Sequence, residues 1–72
     1  MNIGLLKGII RNLDYSSKNI IDVLYSENNN LNYENEKRLI NAINTLNATT
    51  FILGNIVDEE SIKSEYGNKS LK

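Results

Sequence analysis

Few side chains in this chain can do chemistry, and the most suggestive of them are cations. Lys7, Arg11 and Lys18 recur at helical spacing, within about 40° of one another on one helix face, with Tyr15 and Tyr25 on its flanks. Cations interleaved with aromatic rings can hold RNA phosphates and stack on unpaired bases. Asp14 and Asp22 share that face and repel phosphate, so the stripe also reads as a solvated surface with i,i+4 charge pairs such as Lys18 to Asp22. The carboxylates Asp58, Glu59 and Glu60, with Glu65 beyond, diverge by about 100° per residue on a helix and cannot converge on one ion or one proton. They form an acidic end suited at most to docking a basic surface.

Catalysis has little to work with. There is no cysteine and no histidine, which removes zinc fingers, histidine-dependent triads, cysteine nucleophiles, haem and iron-sulfur ligation and disulfides. Ser17 has no histidine to activate it, and Lys18 points elsewhere on the helix. No phosphate loop or dinucleotide fingerprint is present, and glycines 4, 8, 54 and 67 are too scattered to cradle phosphate. A non-enzyme is expected, with no catalytic residue, cofactor, metal or small-molecule substrate.

The elements that must carry these residues are legible from spacing. Ile3, Leu6, Ile10, Leu13, Ser17, Ile20 and Leu24 alternate steps of three and four, a heptad seam on a helix from about 3 to 26. Leu5, Ile9 and Val23 broaden one side of the seam and Ile21 the other, giving an apolar arc of about 160°. The asparagine-rich segment from about 27 to 32 breaks the period and supplies a turn, with Asn32 as N-cap and Glu34 and Glu36 in the next first turn. Leu39, Ile43, Leu46, Thr50, Leu53 and Val57 then form a second seam, on a helix from about 33 to 65, with Gly67 as C-cap and a flexible tail at 67–72. Ser17 and Thr50, the polar seam positions, are expected either to pair across the helices or to bond back to their own turns.

The expected fold is therefore all-α: an antiparallel two-helix hairpin over 1–66. At 72 residues and 8.2 kDa, such a chain rarely buries enough apolar surface to stand alone. Ile52 and Ile56 lie about 140° and 100° from the second seam, where a lone hairpin leaves them in water. Both are expected as contacts of a homodimer that closes a four-helix bundle. This architecture is similar to that of plasmid RNA-modulator proteins of the Rop type, a resemblance of topology over most of the chain. It implies RNA held on one bundle face, here by the Lys7, Arg11, Lys18 stripe.

Charge and composition bound the remainder. Eight basic against nine acidic residues give a net charge of −1, so no global field draws the chain to nucleic acid or anionic membrane. The segment from Gly4 to Arg11 resembles an interfacial peptide, and Gly4 with Gly8 makes a GxxxG pair, but its seam continues past residue 13 into acidic territory and reads as bundle core. No cleavable leader is recognised, so the expected compartment is the cytoplasm and no membrane role is expected. The wealth of asparagine and isoleucine fits an AT-rich bacterium, plasmid or phage. The leading expectation is a small regulator or inhibitor that binds another protein as a dimeric helical module. RNA binding stands second, and a scaffold element associating through the Ile52/Ile56 ridge stands third.

Overall fold

The first helix, α1, spans Ile3–Leu24, and the second, α2, spans Tyr33–Ser70. These bounds come from a computed structural model that describes residues 1–28 and 30–70, the last seven of them as backbone only. Each helix begins on an asparagine. The Asn2 side chain accepts from the Leu5 N–H at 2.9 Å and that of Asn32 from the Asn35 N–H at 2.8 Å, each satisfying a donor that a helix start leaves without an intrahelical partner. α1 stops two residues earlier than spacing alone predicts. The Ser26 hydroxyl and N–H both donate to the Val23 carbonyl, at 2.8 and 3.3 Å, so local bonds compete with another helical turn. Asn30 turns the chain with φ of 48°, a left-handed conformation that asparagine tolerates better than most residues.

The two helices pack against each other as a hairpin, drawn out to 62 × 16 × 14 Å. Both heptad seams face inward: every α1 position from Ile3 to Leu24 in that series, and every α2 position from Leu39 to Val57, is buried or half-buried. Ser17 faces Asn47 across the interface, and Leu24 shares a groove with Ile40. Residues of α1 and α2 whose numbers total about 64 therefore lie level with one another. The core is thin. Among the described residues only Ile43 and Val57 are buried hydrophobics, and no large side chain is fully enclosed.

α2 runs past the end near 65 that its spacing predicts. It continues through Asp58, Glu59 and Glu60, where Lys63 sits 3.9 Å from the Glu59 carboxylate and 3.8 Å from that of Glu60, at the i,i+4 and i,i+3 spacings that support a continuing helix. The backbone stays helical through Ser70, beyond the stop expected near 65; with no proline in the chain, nothing obliges it to break. Of the tail expected at 67–72, residues 71–72 lie outside the described residues. By the same levels, α1 reaches only as far as Ser61, so α2 outruns it by about two and a half turns.

Candidate functional site

Lys7, Arg11, Tyr15, Lys18 and Tyr25 are all exposed. They form a stripe about 27 Å long, at 1.5 Å per residue, down α1 and onto its capping residue. The stripe is electrically divided. Lys18 pairs with Asp14 at 3.4 Å rather than with Asp22, which follows the preference for the acid to lie N-terminal to the base at this spacing. Lys7 and Arg11 have no ion-pair partner among the described residues. Two cations of α2 are occupied on their own helix: Lys37 stands 4.9 Å from the centre of the Tyr33 ring, and Arg38 donates to Asn35 at 3.0 Å. Among the described side chains, phosphate binding by the stripe would thus rest on Lys7 and Arg11.

The polar seam positions resolve differently from each other. Ser17, only 3% exposed, donates its hydroxyl to Asn47 Oδ1 of the opposite helix at 3.0 Å, whereas the Thr50 hydroxyl bonds back to the Leu46 carbonyl at 2.9 Å. The cross-helix partner of Ser17 is thus an asparagine beside the seam rather than the threonine in it. Heptad spacing gives no sign of this, because it depends on which residues of the two helices come level.

The two sides of the hairpin are unlike. On one side an open groove of about 310 Å³ is lined by Ile21, Leu24, Tyr25, Ile40, Ile43 and Asn44. That groove shows that the Ile21 flank of α1 and the Ile40 flank of α2 look the same way. The opposite flanks, Leu5, Ile9 and Val23 on α1 and Ala42, Thr49 and Ile56 on α2, therefore share the other side. Ile52 lies just outside that second flank and is 57% exposed. Ile56 is half-buried rather than left in water, since a position about 100° from the seam still sits at the edge sheltered by the neighbouring helix.

This second side carries a signal that periodicity does not show. From Leu39 to Val57 the sequence has no charged residue at all, and on α1 the charges at 7, 11, 14, 18 and 22 all fall away from the Leu5, Ile9, Val23 flank. Among the described residues no group of histidine, cysteine or acidic side chains could hold a metal ion, and no helix is long and apolar enough to cross a membrane. A Cβ built on Gly8 or Gly54 meets nothing within 4 Å, so neither glycine is required by packing within the chain. In comparisons with family models, curated proteins and solved structures, none matches this chain.

Proposed function

We propose that this chain is a non-enzymatic helical interaction module that works as a homodimer and acts by binding another protein. The observation that carries the reading is the distribution of apolar surface. Leu5, Val23, Phe51, Ile52 and Ile62 are each more than half exposed while the hairpin buries only Ile43 and Val57 among its described hydrophobics. Apolar area left in water is what association removes, at about 25 cal/mol per Å². The groove beside Ile21 and Ile40 is open, and Tyr25 is its one titratable side chain, an arrangement suited to a partner's apolar side chain rather than to bond chemistry.

Two measurements test the reading. Sedimentation of the purified chain across a concentration series is expected to give a dimer, and a fully helical monomer at all concentrations removes the dimeric part. A tagged chain in host extract is expected to retain a protein that survives nuclease and is lost when Lys18→Glu and Asp22→Lys reverse the outer face of α1 with helicity unchanged. A nuclease-sensitive species whose binding falls steeply with salt would instead favour RNA bound by Lys7 and Arg11.

A further inference from the structure

The side of the hairpin opposite the groove has three properties that together specify what covers it. First, it is apolar where it projects: Leu5 is 64% exposed, Ile9 42% and Ile52 57%. With residues level when their numbers total about 64, Leu5 and Ile9 of α1 come close in height to Ile52 and Ile56 of α2. Second, its two threonines are already satisfied. Thr45 and Thr49 turn their hydroxyls onto the carbonyls of Asn41 and Thr45 at 2.9 and 2.8 Å, so both can enter an interface without stranding a donor. Third, its midsection holds no charge, because α2 is uncharged between Arg38 and Asp58 and the α1 charges lie elsewhere.

An uncharged face discriminates among occupants. A two-fold contact lays the same patch against itself, so any charge within it meets its own copy and is desolvated without a counter-ion. A face lacking charge escapes that penalty and offers nothing to select a charged partner. The area permits this. The chain exposes 5762 Å², whereas a folded chain of its mass is expected to expose about 4,500 Å². The surplus, on the order of 1,200 Å² and spread over the whole elongated chain with its α2 overhang, leaves room for the roughly 800 Å² that each partner contributes to a stable interface.

We infer that a second copy of this chain covers the uncharged side formed by Leu5, Ile9 and Val23 of α1 and Ile52 and Ile56 of α2, leaving the groove side open. The inference rests on the dimeric part of the proposed function and adds to it the face that is used. Its test compares two neighbours on α2, Ile52→Glu and Phe51→Glu, by sedimentation and circular dichroism on the full chain. Phe51 is 70% exposed and falls toward the groove side. Ile52→Glu is expected to raise the dimer dissociation constant about a hundredfold or more, since each contact then contains two buried carboxylates, while Phe51→Glu leaves it unchanged. Leu5→Lys, far from the seam, repeats the test should Ile52→Glu lose helicity. Dissociation by Phe51→Glu alone, or by neither Ile52→Glu nor Leu5→Lys, overturns the choice of face and leaves the dimer standing. A wild-type chain that is monomeric throughout overturns both.

Discussion

The two sides of the hairpin flank the same seam and are built from the same two helices, yet one carries nearly all of the midsection's charge and the other none of it. On the groove side, Lys7, Asp14 and Lys18 share a flank of α1 with Ile21 and Tyr25, and Ile40, Asn47 and Phe51 share the matching flank of α2. On the other side, apolar side chains alternate with threonine, serine, alanine and asparagine. The contrast teaches that amphipathicity in so small a chain is not a division into inside and outside. The inside is only the seam. What distinguishes the two outsides is whether water must remain, because a charged residue holds its hydration while a back-bonded threonine releases it readily.

Several substitutions would break or sharpen this contrast. The largest effect belongs to the seam that both sides share: Ile43→Ala is expected to cost about 2–5 kcal/mol, seen as collapse of the thermal transition, because one of two buried hydrophobics is removed. Next comes the cap. Asn32→Ala should cost about 1 kcal/mol and lower the melting temperature without moving the dimer equilibrium, since the side chain serves only the start of α2. Gly54→Ala separates the two sides most directly. Gly54 has open space around it and lies toward the groove side, so alanine should stabilise by up to about 1 kcal/mol; a loss of stability that grows with protein concentration would show a second copy seated there. Smallest is the exposed pair: Lys18→Ala is expected to change stability by no more than about 0.5 kcal/mol in a denaturant titration.

Much of the hairpin was legible in the spacing of its apolar residues. Steps of three and four marked both seams, and asparagine at 32 before two glutamates marked the start of α2, because these signals are local. Three features were not local enough. Asn2 caps α1 from a position that the heptad spacing, which starts at Ile3, does not reach. Asn47 becomes the partner of Ser17 only once the helices are level at that point, a consequence of loop length rather than of either helix. Which flanks share a side follows from the antiparallel pairing of the two seams, a property of both helices together, and it places Leu5 and Ile9 on the same side as Ile52 and Ile56. The uncharged run from 39 to 57 was present in the sequence, but a heptad reading sorts positions by period and passes over a property spread evenly around the helix.

The hydrogen bond between Ser17 and Asn47 has a consequence beyond its own strength. A ladder of leucines and isoleucines repeating every seven residues looks almost the same after sliding by one repeat, so its phase is nearly degenerate. Such a slide would set Ser17 against Ile40 or Gly54, neither of which has a side-chain acceptor, and the hydroxyl would be left to bond back to its own turn as Thr50 does, losing the cross-helix bond at about 0.5–1.5 kcal/mol. One small polar residue among the apolar rungs thus lifts the degeneracy, and with it fixes which surface residues of the two helices become neighbours.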